Sequence, residues 1–457
     1  MAELGTALVE AYNSSRNISK PQHLCHAPFA NMYFNVSGEA APCWLTFFEA
    51  PKFPEKSIRE IWFGEFYENI RSLIKKNDLS ERCRVCERNI RNQLFLNPLA
   101  RAYDNDYSLE RYPKIMEFEL SNQCNLECVM CNGRLSSSIR KNRDQLSPYT
   151  SPYNQSFVEQ LGEFLPHLKE ARFNGGEPFL QPICWEIWNK IAIENPEIEI
   201  TVATNGTVWS SKVEEILNRA KFRINLSLDG FSSETYESIR KNAKFHRVME
   251  NVHRFGAYCK KNNRIFSIMI NPMRVNYWEM PAMVEFCNSN GYYLWFNTVY
   301  RPFHLSLWNL PSSELKIIHQ KLSKAEFGSS AESSQGVVSG NIAKYQNFVE
   351  RQITTWIREQ EAREAAGTDE LSRMAKRAAA KPEFLSALRA GLSSKVEIYP
   401  VVERKISEIF SKMKNNIDET VFYSLLLGKP IDWVLHDLEH KSVEQMILEF
   451  YSLAEYY

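Results

Sequence analysis

Residues 118–131 read FELSNQCNLECVMC, and this stretch decides the fold prediction. Cys124, Cys128 and Cys131 stand in a Cys-x3-Cys-x2-Cys spacing directly after the apolar run of residues 115–120. Closely spaced thiolates suit a soft metal or an iron–sulfur cluster, and no obvious fourth ligand accompanies these three. Three thiolates on a four-iron cube leave one iron open for a substrate or cofactor, whereas a four-cysteine zinc site is closed.

The composition is that of a globular protein rather than a nucleic-acid-binding one. Lys plus Arg and Asp plus Glu both number 55, so no net charge attracts a phosphate backbone, and we expect no nucleic-acid partner. No stretch approaches the roughly 18 apolar residues of a membrane span. Because residues 1–24 also lack the apolar centre of a secretory signal, a cytoplasmic location is expected.

Outward from the cysteine triad, the chain alternates short apolar runs with helical patterns. The predicted strands are residues 115–120, 170–174, 198–203, 222–228, 265–270 and 293–299. Helical patterns lie between them, at 157–168, 184–193, 212–220, 245–260 and 277–288. This alternation predicts an α/β fold with parallel strands, arranged as a partial (β/α)6 barrel over residues 112–311. Such barrels carry their chemistry at the carboxyl ends of the strands, where the triad falls.

Three later strand ends also carry polar or glycine-rich turns. Gly175-Gly176-Glu177-Pro178 follows the second strand, and its glycines allow close backbone approach while Glu177 offers an acceptor for an ammonium group. Residues 204–206, Thr-Asn-Gly, follow the third strand. The fourth ends in Ser227-Leu228-Asp229-Gly230, with Arg240 on the next helical pattern. Together with the cysteine triad, these motifs in this order resemble the radical S-adenosylmethionine (SAM) superfamily.

The resemblance implies a cofactor and a set of contacts. Cys124, Cys128 and Cys131 would hold a 4Fe–4S cluster whose open iron chelates SAM. Gly175, Gly176 and Glu177 would hold the SAM amino group, Ser227 and Asp229 would lie at its ribose, and Arg240 would steady its carboxylate. Many relatives have an aromatic residue before the third cysteine; Met130 stands there, and its polarizable thioether suits packing against adenine.

The region of residues 25–99 carries a second cysteine set. Cys25 and Cys43 flank two apolar runs around Ser37-Gly38, which predict a β-hairpin with Gly38 at a positive φ. A helical pattern over residues 57–75 leads to Cys83 and Cys86. The spacing alone leaves a structural zinc ribbon open. The region resembles the SPASM and Twitch auxiliary-cluster domains, which implies one auxiliary 4Fe–4S cluster, although in most relatives this module follows the barrel.

The remaining cysteines and the flanking regions complete the domain prediction. Cys184, Cys259 and Cys287 stand alone in helical patterns and are expected to be buried apolar residues. Residues 1–24 are predicted to be a lead-in. Residues 312–457 form an all-helical C-terminal region, with patterns at 312–324, 342–365 and 401–414 and a loop at 328–340. It serves either as a cap on the barrel or as a recognition domain for substrate or partner.

One short motif in the C-terminal region imitates a metal site. Residues 436–440, His-Asp-Leu-Glu-His, match the pattern of inverted zinc proteases, with both histidines on one helical face. The segment has the amphipathic character of a solvated helix, and we interpret it as a surface helix.

The predicted activity is radical SAM catalysis, in which reductive cleavage of SAM gives a 5′-deoxyadenosyl radical that abstracts hydrogen from a substrate. The auxiliary cluster would accept the electron left on the substrate, anchor the substrate or relay electrons inward. Without a recognisable leader-peptide domain, a small polar, sugar-like molecule that is oxidised or epimerised is favoured over a peptide or protein. An electron donor such as flavodoxin or ferredoxin is the expected partner. A non-catalytic metal-binding interaction protein is the distant alternative.

Overall fold

The computed structural model describes most of the chain. The described residues are 4–16, 18, 23–46, 50–80, 82–91, 93, 95, 98–106, 111–328, 335–366, 380–392, 399–413, 419–427, 431–444 and 446–447. None of the helices within these ranges is long and apolar enough to cross a membrane.

A single mixed sheet organises the first 300 residues. Its strands are β1 (Asn31–Phe34), β2 (Ala40–Ala41), β3 (Ile115–Phe118), β4 (Glu170–Phe173), β5 (Glu199–Thr204), β6 (Lys221–Ser227), β7 (Phe266–Ile270) and β8 (Tyr293–Phe296). Their spatial order is β2-β1-β3-β4-β5-β6-β7-β8. Strands β3 to β8 are all parallel neighbours in chain order, which confirms the six-stranded α/β prediction.

Helices connect and flank these strands. Before β3 they are α1 (Thr6–Ser14), α2 (Ala27–Ala30), α3 (Ile58–Trp62), α4 (Glu65–Lys75) and α5 (Arg84–Arg91). Between β3 and β8 they are α6 (Ser137–Asn142), α7 (Gln155–Gln160), α8 (Pro182–Glu194), α9 (Ser211–Arg219), α10 (Ser233–Ile239), α11 (Phe245–Lys261) and α12 (Met280–Asn290). Short 3-10 helices span Leu99–Asp106, Leu161–Glu163, Leu165–His167, Pro178–Leu180 and Tyr277–Glu279.

The strands alternate between two faces, as the period of two in a β-strand requires. Along β6, Phe222, Ile224 and Leu226 are fully buried, and they pack with the helices in the main apolar core. Arg223 and Asn225 point to the opposite, partly exposed face. Along β6 the inner face of the sheet is therefore polar, and the outer face carries the core.

The N-terminal hairpin extends the same sheet. Strand β1 pairs antiparallel with β2 and parallel with β3, with Asn31 opposite Ile115 and Phe34 opposite Phe118. The predicted positive φ of Gly38 is confirmed at +87°. The first apolar run was expected to be strand throughout, but its beginning forms helix α2.

One predicted helix is interrupted. Residues 57–75 form the two helices α3 and α4, which are separated at Phe63 and Gly64. Ser57 starts α3 with a capping box, in which its hydroxyl accepts the backbone N–H of Glu60 and the Glu60 carboxylate accepts that of Ser57. Gly64 is the N-cap of α4, and a side chain there would overlap the carbonyl oxygen of Glu60.

The C-terminal region is helical, as predicted, but it packs in two parts. Helices α13 (Ser312–Leu322), α14 (Gln335–Gln346) and α15 (Thr354–Ala365), with the π-helical segment Asn347–Ile353 before α15, contribute to the core that covers the sheet. A separate apolar cluster, which includes Leu146, is formed by four later helices: Ala380–Gly391, Tyr399–Met413, Glu419–Leu427 and Ile431–His440. The predicted loop at 328–340 is wrong from residue 335 onward, where α14 begins; residues 329–334 lie outside the described residues.

Helix α14 also covers the sheet edge at β8. The side chain of Asn341 accepts the backbone N–H of Leu294 at 2.9 Å and donates to the carbonyl oxygen of Tyr292 at 2.8 Å. The side-chain amide of Asn341 thus makes hydrogen bonds that the backbone of a further strand would make. This contact satisfies backbone groups that would otherwise be open to pairing with another chain.

Candidate active site

The cysteine triad lies in the loop between β3 and α6, at the carboxyl edge of the sheet. Serines at the start of α6 hold this loop: Ser137 accepts the backbone N–H of Cys124 at 3.1 Å, and Ser138 donates to the Cys124 carbonyl oxygen at 2.8 Å. Leu126, between the first two cysteines, is buried in the main core. The loop is therefore fixed by hydrogen bonds at one end and by apolar packing in its middle.

The three thiols are buried enough for their protonation to depend on a nearby positive charge. Burial raises the pKa of Cys128 to about 11 and that of Cys131 to about 12, and it also raises the pKa of Cys124. Thiolates in such a place need compensation, which iron would supply. The side chain of Asn205 also donates to the Cys124 sulfur at 3.8 Å. The donor set fits a metal-bound thiolate.

Two carboxylates near the triad are already engaged by protein groups. Glu177, on the Gly-Gly-Glu-Pro turn, is fully buried and accepts the backbone N–H of Asn205 at 2.6 Å, the Thr204 hydroxyl at 2.9 and 3.0 Å, and the Phe179 N–H at 3.2 Å. Burial raises its pKa to about 7 against these donors. Its predicted role as the acceptor for the SAM ammonium group stays a prediction, since in this structure the carboxylate joins two turns at the sheet edge.

Asp229 and Arg240 form a buried ion pair beside the triad. Arg240 Nη2 lies 2.6 Å from Asp229 Oδ2, and the side chains are 7% and 0% exposed. Asp229 Oδ1 accepts the backbone and side-chain N–H groups of Asn271 at 2.7 and 2.9 Å. Arg240 Nη1 lies 3.8 Å from the sulfur of Cys128. Both residues had been predicted to contact SAM; the structure gives them protein partners and places Arg240 against the thiol.

The other predicted SAM residues lie around the same edge. Gly175 and Gly176 adopt φ values of +75° and +50°, and a side chain on either would overlap the segment that leads into the triad, at Glu119 and Gln123 respectively. Ser227 ends β6 on the inner face. Met130 packs against an apolar cluster of Ile239, Met273, Val299 and Leu305, a surface that suits an adenine ring. The contacts of these residues with SAM stay predictions.

The second cysteine set lines one cavity. Cys25, Cys43, Cys83 and Cys86 face one cavity, whose other lining residues are Leu24, Leu45, Thr46, Leu79, Val85, Ala100 and Tyr103. Burial raises the pKa of each thiol, that of Cys43 to about 12. Four thiols brought together by a hairpin and a helix start match the ligand number of a 4Fe–4S cluster.

Neither cysteine set is built around a single ion. Within the described ranges, no three His, Cys, Asp or Glu side chains are placed to hold one metal ion. A cluster makes a different demand, because each cysteine binds its own iron. At the zinc-protease-like segment, His436 and Glu439 are exposed, while Val434 and Leu438 pack in the C-terminal apolar cluster, as expected of a surface helix.

Hydrogen bonds link the two cysteine sites, and the sequence did not predict them. Tyr103 lines the four-cysteine cavity and donates its hydroxyl to Glu117 Oε1 at 2.7 Å; Asn31 donates to the same oxygen at 2.7 Å. Glu117 lies on the inner face of β3 and is 3.7 Å from Arg172 Nη1. Burial raises the pKa of Glu117. These contacts join the cysteine module to the strand that leads to the triad.

Some of these residues could have been found and others not. Asn271 follows directly after a predicted strand, so its position alone marked it as a candidate site residue. Asn205 lies on a turn that had been noted without a role. Tyr103 and Glu117 carried no such signal, because Tyr103 lies in a 3-10 helix outside both predicted modules and Glu117 falls inside an apolar run.

The family models match two parts of the chain. Residues 118–287 match the radical SAM superfamily, and residues 25–87 match an iron–sulfur cluster-binding domain known as SPASM. The order of the two matches is the unusual one expected from the motifs, with the cluster-binding domain first. The match of the N-terminal module is to an iron–sulfur domain, so the zinc alternative has no support from it.

Curated relatives and solved structures cover only part of the chain. "Probable GTP 3′,8-cyclase" of Methanocaldococcus jannaschii is 25% identical over 38% of this chain and 55% of its own length. "AdoMet-dependent heme synthase" of Methanosarcina barkeri is 28% identical over 28% and 34%. SuiB of Streptococcus suis, solved with bound S-adenosylmethionine, is 16% identical over 60% and 63%, with a TM-score of 0.36. The chain spans about half the length or less of the first two.

Proposed function

We propose that this chain, a radical SAM enzyme with an N-terminal iron–sulfur cluster-binding domain, abstracts hydrogen from a small polar, sugar-like molecule and oxidises or epimerises it. The observation that carries the proposal is the three-thiol loop at the end of β3, beside two carboxylates that are both held elsewhere. Because Glu177 and Asp229 bind Thr204, Asn205, Asn271 and Arg240, neither is free to complete the ligand set. Three ligands leave one iron for SAM.

The residues of this chain would share the work as follows. Cys124, Cys128 and Cys131 would hold the first cluster; bound there with SAM, it supplies reductive cleavage to methionine and a 5′-deoxyadenosyl radical. The Arg240 guanidinium positions Cys128 and balances its negative charge, while Asn205 donates to Cys124. Burial of the loop excludes water from a reactive radical.

The N-terminal module supports a net oxidation. Cys25, Cys43, Cys83 and Cys86 would hold the auxiliary 4Fe–4S cluster, which would accept the electron left on the substrate. Tyr103 and Glu117 supply a continuous hydrogen-bonded contact from that cavity to the inner face of the sheet.

A polar substrate suits the inner face. Thr201, Arg223, Asn225 and Ser227 all project from β5 and β6 toward that side, where hydroxyl groups of a sugar would find donors and acceptors. A peptide or protein substrate remains the alternative. An electron donor of the flavodoxin or ferredoxin type and a cytoplasmic location are part of the proposal, and both rest on the sequence alone.

Cysteine variants test the proposal. Anaerobically purified protein should carry about eight irons, the content of two four-iron clusters, and release 5′-deoxyadenosine when reduced with SAM. Cys128→Ala should lose about half of the iron and all of the deoxyadenosine, whereas Cys86→Ala should lose a similar share of iron and keep deoxyadenosine release. Cys184→Ala, at a buried cysteine of α8, is the matched control and should change neither. Deoxyadenosine from Cys128→Ala would refute the assignment.

A further inference from the structure

The pairing register aligns three inner-face side chains at the carboxyl end of the sheet. Ser227 of β6 pairs with Met269 of β7, which pairs with Trp295 of β8. Parallel partners project from the same side, and the neighbouring row, Leu226, Ile268 and Leu294, is fully buried on the outer face. With strands about 4.8 Å apart, Trp295 stands roughly 10 Å from Ser227. The indole therefore borders the place expected for SAM.

Aromatic rings on this part of the inner face are exposed. Trp295 is 49% exposed, and Tyr293, two residues earlier on the same face, is 36% exposed. Burial of aromatic side chains of this size stabilises a fold, so leaving two such rings exposed near each other costs stability. Exposed patches of aromatic side chains mark sites that bind ligands.

Helix α14 brings a cation to the same rings. The ammonium nitrogen of Lys344 lies 3.7 Å from the centre of the Trp295 ring and 5.8 Å from that of Tyr293. Across the described part of the chain, no carboxylate forms an ion pair with Lys344, in contrast to Lys316, which lies 2.6 Å from Glu361. Burial lowers the pKa of Lys344, and the nearby Cys287 thiol acts in the opposite direction.

We infer that Trp295 and Lys344 form a subsite for a ring that carries a phosphate or carboxylate group, as part of the proposed substrate. The face of a sugar or base ring packs on the indole, and the anionic group pairs with the ammonium. Half of the Trp295 surface is still open although Lys344 covers part of its ring. The inference rests on the proposed function, because it places this ring on the side of the sheet where SAM is expected.

The charge of the subsite makes the prediction specific. A neutral sugar would leave a half-buried ammonium without a counter-charge, and free phosphate would leave the indole exposed. Only a ligand with both parts satisfies both residues. Sugar phosphates, sugar acids and nucleotide sugars share this chemistry, so they form the arms of one binding experiment.

The experiment is anaerobic calorimetry on the holoenzyme with SAM and no reductant. The probes are glucose 6-phosphate, glucuronate and UDP-glucose, with glucose and inorganic phosphate for comparison. At least one ring-bearing anion should bind, with about tenfold or greater preference over both comparison compounds. Trp295→Ala and Lys344→Met should each weaken that binding by about tenfold, and Lys344→Arg should restore most of it.

Matched controls separate this subsite from general surface effects. Trp278 is similarly exposed, at 45%, and lies outside the paired strands β6, β7 and β8. The variants Trp278→Ala and Lys316→Met should therefore leave the affinity for the probes unchanged. No binding by any probe, equal binding of glucose, or unchanged affinity in both test variants would overturn the inference. Deoxyadenosine release by the reduced wild-type enzyme tells the two failures apart: its presence leaves the proposed function standing, and its absence removes that function.

Discussion

Replacing Arg240 with methionine should destabilise the fold through the charge that it leaves behind. Asp229 would remain fully buried, with its Oδ2 deprived of the guanidinium 2.6 Å away. Removing one partner of a buried pair costs about 3–5 kcal/mol. The lower end applies here, since Asn271 still donates two hydrogen bonds to Oδ1. We expect a loss of about 3 kcal/mol in the free energy of unfolding.

The double variant identifies the cause. Arg240→Met combined with Asp229→Asn removes both charges and keeps the acceptor oxygen for Asn271, so it should recover at least about 1 kcal/mol relative to the single variant. The control is Lys244→Met, which breaks an ion pair with Glu237 in which the lysine side chain is 62% exposed. An exposed pair of this kind contributes about 0–1 kcal/mol.

Urea unfolding of the cluster-free protein, followed anaerobically by circular dichroism, gives the measurement. Removing the clusters first keeps loss of iron from being mistaken for loss of the ion pair. A shift below about 1 kcal/mol for Arg240→Met, or a double variant as unstable as the single one, would refute the reasoning. It would mean that water or a rearranged side chain compensates Asp229.

Three further changes test other parts of the structure. Asn341→Ala should cost about 2 kcal/mol or more, because it leaves the backbone N–H of Leu294 in β8 and the carbonyl oxygen of Tyr292 unpaired; unfolding midpoints measure it. Gly176→Ala should cost more than Gly291→Ala: both have positive φ, but only the former's added carbon would overlap the backbone at Gln123, so equal losses would contradict the packing. Burial raises the pKa of Glu117, so its contribution to stability falls as the pH rises from about 4.3 upward. The stability of Glu117→Gln relative to wild type should therefore increase with pH. A constant difference between their unfolding midpoints would contradict this.

The sequence predicted the parts of the fold that depend on local patterns. Alternating apolar residues such as Phe222, Ile224 and Leu226 mark one face of a strand, and all six barrel strands were found within about three residues of their ends. Polar turns after those strands located the edge that carries the site. Both predictions need only neighbouring residues, and this is why they succeeded.

Contacts between distant segments could not be predicted in the same way. Strand β1 pairs with β3 across more than 80 residues, and the apolar pattern of a four-residue strand does not name its partner. Arg240 had been matched to a SAM carboxylate because the motif gives its position but not its rotamer. Only the folded chain shows that Asp229, eleven residues earlier, pairs with Arg240, and the contact with the SAM carboxylate stays a prediction.

The two edges of the sheet explain how an open barrel stays open to a substrate without pairing with other chains. At one edge, β1 adds to β3 and is itself closed by the two-residue strand β2. At the other edge, the Asn341 amide pairs with the backbone N–H of Leu294 in β8 and with the carbonyl oxygen of Tyr292, which directly precedes the strand. Because neither device covers the inner face, both protect the edge while leaving the polar side accessible. The iron–sulfur module thus stands at the β1 edge and Lys344 at the β8 edge. A substrate on the inner face would therefore lie between the proposed electron acceptor and the proposed anion-binding residue.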